Sequence, residues 1–259
     1  MKETHIKAFA ESAELMAIAA GKYIRENMQQ SFNTEFKGDG SPVTDIDKGT
    51  EDCIREIITE KYPDHGILGE EREDVRADAE FKWLIDPIDG TLPFITGIPV
   101  FGTLLALVHG DTPIIGVIDM PMTGDRWIGR RGLETLKNGN PVHTRPCADL
   151  ASAYMSTSNP DFYSEEELSY LNNMRAATKL AVYGGSCMAY AQLASGRIDV
   201  GMDVQFDIHD YIPLVPVIQG AGGMITDWNG NPLNCESADK FVAAGDKCVH
   251  EQAISILNS

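Results

Sequence analysis

The stretch WLIDPIDGT, residues 83–91, carries an apolar run into Asp86, Pro87, Ile88, Asp89, Gly90 and Thr91. A surface loop scatters its charges, whereas this one sets two carboxylates three residues apart around a proline-fixed turn. Hard divalent cations such as Mg²⁺ take oxygen ligands in near-octahedral array and keep several waters, so few carboxylates are needed, but they must converge. Two such ions about 3.5–4 Å apart can clamp the attacking and leaving oxygens of a phosphoryl transfer. An aspartate at a strand end can bridge the pair, a second one three residues on can bind one of them, and the peptide between offers the Ile88 carbonyl. Gly90 and Thr91 then open a turn or short helix whose free N–H groups suit a phosphate. Asp-Pro and Asp-Gly are also common turn elements, so the stretch alone is balanced between a turn and a metal site.

Three further acidic stretches tip the balance. ILGEE places Glu70 and Glu71 after an apolar strand, not on a charged helix face. PVTDIDK supplies Asp45 and Asp47 near a helix start, where capping is the stronger expectation. FDIHDYIPLVPVIQGAGG puts Asp207 and Asp210 ahead of an apolar helix, again with capping as the competing role.

Apolar periodicity names the elements that must hold these acids. Ile6, Phe9, Ala10, Ala13, Ala17, Ala20 and Ile24 recur at helical steps and predict a helix over 3–28. A turn at KGDGSPVTD leads to a second helix that begins at Asp45 or Asp47 and runs to about Lys61, with Ile54, Ile57 and Ile58 buried. GILGEE and FKWLID are strands, 101–120 is a hairpin about a Gly-Asp turn, and Asn138-Gly139 marks another. After residue 150, strands AYMSTS, KLAVYGG and IDVGMDV alternate with helices SEEELSYLNNMRAA and SCMAYAQLASGR. DYIPLVPVIQGAGG reads as one helix with Pro213 in its first turn and a bend at Pro216. MITDWNGNPL holds a hairpin at Asn229-Gly230, and FVAAG and HEQAISILN close the chain. Hairpins first and alternation second predict an α+β half over 1–145 and an α/β half over 146–259 that completes the metal and substrate site.

The 259 residues fit one domain or two tightly joined ones. No run of 18 apolar residues predicts a transmembrane helix, and the start MKETHIKAFAESAEL lacks the apolar core of a secretory signal. A net charge of −18 argues against nucleic-acid and anionic-membrane partners. It also repels a phosphorylated substrate unless bound cations reverse the local field. Five widely spaced cysteines without a CxxC pair suggest reduced thiols and a cytoplasmic location. Trp83, Trp127 and Trp228 read as packing, and Met155, Met174 and Met188 as core. His209 reads as a partly exposed loop residue or a substrate contact.

Together GEE, WLIDPIDGT and an aspartate twelve residues before GG resemble, in order and spacing over about 40–245, the inositol monophosphatase superfamily of metal-dependent, lithium-sensitive phosphatases. The resemblance implies a layered αβαβα fold and a homodimer. It implies one Mg²⁺ on Glu70, Asp86 and the Ile88 carbonyl, a second on Asp86, Asp89 and Asp210, and a third, weaker one leaning on Glu70. Thr91 with Asp47 matches the pair that orients and helps deprotonate the attacking water, which attacks in line without a phosphoenzyme. The N–H groups of Gly90 and Thr91 match the phosphate cradle. Within the superfamily, TRPCADLA, LVPVIQGAGG and ITDWNG resemble the bacterial and plant histidinol-phosphate phosphatases. Gly184, Gly185, Ser186 and Asp203 then fall where the rest of the substrate sits, beside Asp89 and Asp210. The departures are Ser186, where that branch has an acid, Asp203 for Glu, and IHD for PYD. The expected activity is hydrolysis of a small phosphorylated metabolite, histidinol phosphate first and inositol or another polyol phosphate second.

Overall fold

The computed structural model describes residues 2–38, 40–237 and 239–259. Helix α1 (Glu3–Asn27) precedes a small hairpin, β1 (Thr34–Phe36) and β2 (Pro42–Thr44), and helix α2 (Asp45–Lys61). Then come β3 (Gly66–Gly69), β4 (Phe81–Asp89), the short α3 (Thr91–Thr96), β5 (Gly102–His109), β6 (Thr112–Met120), β7 (Asp125–Arg130), β8 (Leu133–Lys137) and β9 (Asn140–Pro141). The later chain forms β10 (Tyr154–Thr157), α4 (Glu165–Ala177), β11 (Leu180–Tyr183), α5 (Ser186–Ala194), β12 (Val200–Asp203), α6 (Ile208–Tyr211) and α7 (Leu214–Gly220). It ends with β13 (Met224–Asp227), β14 (Phe241–Ala244) and α8 (Lys247–Leu257). Asp39, in the turn read at KGDG, lies outside the described residues.

Strands β3 to β9 lie in sequence order in a seven-stranded sheet, antiparallel except for the parallel pair β3–β4. The second sheet runs β11-β10-β12-β14-β13, with β10 parallel to both β11 and β12. Alternation along the strands builds the layers. Trp83, Ile85, Leu105 and Leu107 pack with Ala13, Ala17 and Ile54 of α1 and α2. Their neighbours Leu84, Leu104 and Ala106 face the other way, onto Ala191 of α5 and Val217 of α7. In the second sheet Phe241 and Ala243 join that same middle layer, while Val242 and Ala244 pack against Met174 of α4 and Val249 of α8. Both faces of both sheets are covered, so these strands read as continuous apolar runs. The result is the expected αβαβα sandwich.

Trp83 and Trp127 are fully buried, Met155 and Met174 are core, and Trp228 and Met188 pack half-buried against it. Helix α2 begins at Asp45, as read, and Asp47 takes part in its capping box: the Thr44 hydroxyl accepts from the N–H of Ile46 and Asp47, and Asp47 Oδ2 accepts from the Thr44 N–H. One expectation changes. The helix read through 210–223 is two helices. The break falls at Pro213, which has no N–H to continue the α6 hydrogen bonds. Pro216 is the third residue of α7 and sits harmlessly in its first turn.

Helix α7 lies almost on the backbone of the first sheet. A Cβ added to Gly116 of β6 would fall 1.9 Å from the Pro213 carbonyl oxygen, and one on Gly129 of β7 would fall 2.2 Å from Pro216 C and Val217 N. Backbone cannot yield as a side chain does. We predict that Gly129→Ala costs about 1–3 kcal/mol of stability, as overpacking does, seen as a lower midpoint in thermal unfolding. An unchanged midpoint would show that α7 can lift off the sheet freely.

Candidate active site

Strict alternation would put residues 86 and 89 on opposite faces of β4. The chain avoids this with a bulge: Asp86 pairs with Leu104 and Asp89 with Gly102, so three steps on β4 match two on β5. Pro87 occupies the irregularity, where its missing N–H costs no ladder bond, and its carbonyl accepts from Thr103 Oγ1 at 2.8 Å. The extra residue turns both carboxylates to one side. There they meet Asp210 of α6, and one oxygen from each of Asp86, Asp89 and Asp210 lies within 4.8 Å of the others.

Two of the acids are held from behind. Asp89 Oδ2 accepts from the Cys187 N–H at 2.6 Å. Asp210 Oδ2 accepts from the Asp207 N–H at 2.7 Å, closing a capping box in α6. Asp86 Oδ1 is buried without a partner. Burial, then the charges of Glu70, Asp89 and Asp210, push the Asp86 carboxyl well above the usual range. Burial does the same to Asp210, with Asp89 and Glu70 adding to it, and burial raises Asp89. Three hard oxygen donors, converging, desolvated and uncompensated, are the donor set that Mg²⁺ takes.

Glu70 follows β3 beside this cluster. Its N–H bonds the Ile85 carbonyl at 3.1 Å, and the next N–H, of Glu71, bonds buried Glu51 at 2.8 Å. The Glu70 carboxylate is engaged by Lys37 Nζ at 2.8 Å, which also holds Glu71 at 2.7 Å. Burial lifts Glu71 to about 7. Thr91 Oγ1 lies 3.3 Å from Asp47 Oδ1 and 3.1 Å from the Ile88 carbonyl. Asp47 is 1% exposed, and its other oxygen caps α2 through Thr44. Burial raises its carboxyl too.

A cleft of about 470 Å³ opens over the cluster, with Glu70, Asp89, Gly90, Thr91 and Asp210 at one end. The other end is formed where β10, β11 and β12 finish: Ser158 and Asn159, Tyr183 and Gly184, and Gln205 and Phe206. Ligands favour this place, outside the carboxyl ends of parallel strands. Ser186 and Gln205, both in the cleft wall, hold left-handed backbone at φ 45 and 59. Strain of this kind concentrates at functional sites.

The structure thus brings Asp47, Glu70, Asp86, Ile88, Asp89, Gly90, Thr91 and Asp210 together, with Gly184 and Ser186 facing them. Gly185 caps α5 behind the wall. Asp203 does not reach the cleft: it is 1% exposed, and its oxygens take Thr157 Oγ1, the Ser158 N–H and hydroxyl, and Tyr190 OH at 2.5–3.2 Å. Burial raises it to about 6. His209 is neither loop nor exposed; it lies in α6, 9% exposed, with both ring nitrogens unpartnered. Sequence reasoning missed Lys37, hidden in what read as a turn, and the Cys187 N–H, which no side-chain pattern reveals.

A buried all-oxygen cluster under such a cleft is what a metal-dependent phosphatase needs, and the chain is an enzyme of that class. It belongs to the inositol monophosphatase family, whose model matches residues 5–259. The Arabidopsis thaliana protein named bifunctional phosphatase IMPL2, chloroplastic, is 41% identical over 99% of this chain and 77% of its own length. A Chlorobaculum parvum histidinol-phosphatase is 30% identical over 83% of this chain and 84% of its own. The solved structure of an inositol monophosphatase from Zymomonas mobilis superposes with a TM-score of 0.89 at 36% identity, covering 98% of both chains. No described helix is long and apolar enough to cross a membrane.

The cluster sets a sign for stability. A carboxyl raised in the folded state contributes stability that is present below its ordinary pKa and lost as pH rises through the folded value. In EDTA the protein should therefore lose stability as pH rises from about 4, with Asp203 contributing between 3.8 and about 6. Asp86→Asn should remove part of that loss and raise the neutral-pH midpoint by roughly 2–10 °C, from about 1–3 kcal/mol of relieved burial. Added Mg²⁺ should stabilise the parent more than the variant. Thermal unfolding across pH, with and without Mg²⁺, checks this; a destabilised variant in EDTA would contradict it.

Proposed function

We propose that this chain is a Mg²⁺-dependent phosphomonoesterase acting on a small phosphorylated metabolite, with histidinol phosphate as its preferred substrate. The observation that carries the chemistry is the convergence of Asp86, Asp89 and Asp210 at the floor of the cleft. Glu70, Asp86, Asp89, Asp210 and the Ile88 carbonyl would hold two to three ions. When bound, these supply Lewis-acid neutralisation of phosphoryl charge and a lowered pKa for water.

The chain's own groups do the rest. Gly90 and Thr91 offer N–H groups at the start of α3 to the phosphate oxygens. The Thr91 hydroxyl passes its proton to Asp47 Oδ1 as it takes one from water; burial makes Asp47 a stronger base than a surface carboxylate. Water oxygen joins phosphorus in line as the ester P–O bond breaks, and the alcohol leaves with a proton from solvent. Glu70 must exchange Lys37 for a cation, which ties the β1–β2 turn to the loaded state.

Two observations support histidinol phosphate. A relative at 30% identity is named a histidinol-phosphatase. The far end of the cleft carries Phe162, Tyr183 and Phe206, aromatic surfaces suited to an imidazole or an ammonium. A polyol phosphate is the second reading. It is favoured by Ser186, and by the absence of any carboxylate lining the described cleft beyond Glu70, Asp89 and Asp210. Asp203, buried and satisfied, is unavailable to an ammonium group.

Phosphate release from histidinol phosphate, inositol 1-phosphate and other polyol phosphates tests the reading. Turnover should vanish in EDTA and nearly vanish in Asp86→Asn; activity that survives either would remove the mechanism. Ser186→Asp restores a carboxylate at the cleft. A charge-assisted hydrogen bond is worth about 1.5–3 kcal/mol, so kcat/KM for histidinol phosphate should rise roughly ten- to a hundredfold, with inositol phosphate unchanged or worse. Equal changes for both substrates would mean that residue 186 does not face the ammonium. No histidinol phosphate turnover in either protein would decide for the polyol phosphate.

A further inference from the structure

We propose that the cleft between the β7–β8 turn and the end of α7 is a second binding site, which takes a small organic oxyanion, a phosphate ester or a carboxylate, on Arg130 and Arg131. This cleft measures about 500 Å³, and its wall includes Arg130, Arg131, Leu133, Glu134, His143 and Pro216. It is separate from the active-site cleft: no described residue lines both. Its charge is also of the opposite sign. Two arginines and one carboxylate, Glu134, are among its described lining, whereas the active-site cleft has three carboxylates and no Lys or Arg. On a chain of net charge −18, a cleft with a surplus of arginine is a local reversal of the field that anions meet elsewhere.

The Arg130 guanidinium is anchored but uncompensated. Its Nη2 donates to the Glu134 carbonyl oxygen at 2.7 Å, across the turn. Its Nε is buried with no hydrogen-bond partner. Among the described residues no carboxylate pairs with Arg130 or Arg131. Glu134 Oε1 lies 3.6 Å from His143 Nε2, and Glu3, at the exposed start of α1 and within reach of the Arg130 charge, is held by Lys7 at 2.7 Å. A partly desolvated charge without a counter-ion is a cost that a bound anion offsets. Arg131 stands next to it on the exposed turn, where Gly132 at φ 76 lets the chain reverse. The planar guanidinium fork matches the paired oxygens of a carboxylate or a phosphate. Leu133 and buried Pro216 offer apolar surface to the carbon part of the ligand, and a cleft of this size takes more than a bare ion.

The test is calorimetric titration of EDTA-stripped protein, at low ionic strength, with inorganic phosphate, glycerol 3-phosphate and succinate. Binding of at least one is expected; the phosphates alone would name a phosphate ester as the ligand, and succinate alone a carboxylate. Arg130→Gln should weaken binding about tenfold, the scale of one charge-assisted hydrogen bond. Arg131→Gln, on the exposed turn, should weaken it severalfold, and Arg131→Glu should abolish it. Two further variants should leave the affinity unchanged: Arg175→Gln, which removes an equal charge from the exposed end of α4, and Asp86→Asn, which alters the active-site cleft. Thermal unfolding shows whether Arg130→Gln keeps the fold; if it does not, Arg131→Glu decides alone. A parent that binds none of the three anions overturns the proposal. So does binding that survives Arg131→Glu, or that Arg175→Gln or Asp86→Asn changes as much as the Arg130 and Arg131 variants do.

Discussion

Asp86, Asp89 and Asp210 share a desolvated space in which among the described residues none of them is ion-paired. Like charges this close raise one another's pKa and oppose folding, so the acids stay together only because the surrounding structure over-determines them. The β4 bulge turns Asp86 and Asp89 to one side, and Leu84 and Ile85 on either face of β4 anchor that strand in two separate cores. Asp210 is delivered by α6, just ahead of the helix that rests on Gly116 and Gly129. The middle layer of the sandwich therefore fixes the distance between acids that come from residues more than a hundred positions apart.

The two acids that read most easily as helix caps show how capping and function coexist. Asp47 and Asp210 each occupy the third position of a capping box, where a side chain reaches back to a backbone N–H. A carboxylate has two oxygens. In Asp47 one caps Thr44 while the other meets Thr91, 3.3 Å away. In Asp210 one oxygen caps Asp207, and the carboxylate also joins the cluster with Asp86 and Asp89. A cap of this kind locks the carboxylate's rotamer and leaves its second oxygen free to face the cleft. The geometry of the first turn then sets the aim of the carboxylate without further packing.

Much of this was legible in local pattern. Periodicity placed α1 and α2, turn residues placed the hairpins, and the acids of WLIDPIDGT stood out because they were set between apolar runs. What local pattern could not carry was direction and depth. Asp203 and Ser186 both looked like cleft residues by position, yet Asp203 points into a cluster of four donors and Ser186 forms the wall. Period-2 alternation cannot say which end of a strand a ligand will reach. His209, beside Asp210, read as a partly exposed loop residue or a substrate contact, but one turn of helix carries it inward. Position in a single predicted helix puts the bend at Pro216; the packing of α7 on the sheet shows that Pro213 is the residue that interrupts it. Lys37 was lost because its partners, Glu70 and Glu71, lie more than thirty residues away.

The charge balance of the cleft sets the order in which it can be filled. Among the described residues that line it there is no Lys or Arg, while three are carboxylates. The nearest base at this end, Lys37, is already committed to Glu70 and Glu71. A phosphate dianion approaching the metal-free cleft meets a local field of its own sign, within a chain of net charge −18. The N–H groups of a six-residue helix are a modest counterweight to three charges at close range. Cations held at the acid cluster would reverse the field that the substrate sees, which places their binding ahead of the phosphate's. The same ions would relieve the cost of burying the Asp86 charge, which couples the stability of the site to its ability to bind phosphate. A cleft with built-in arginines would hold phosphate without metal; the described lining of this one has none, so its hold on phosphate would follow the cations it carries.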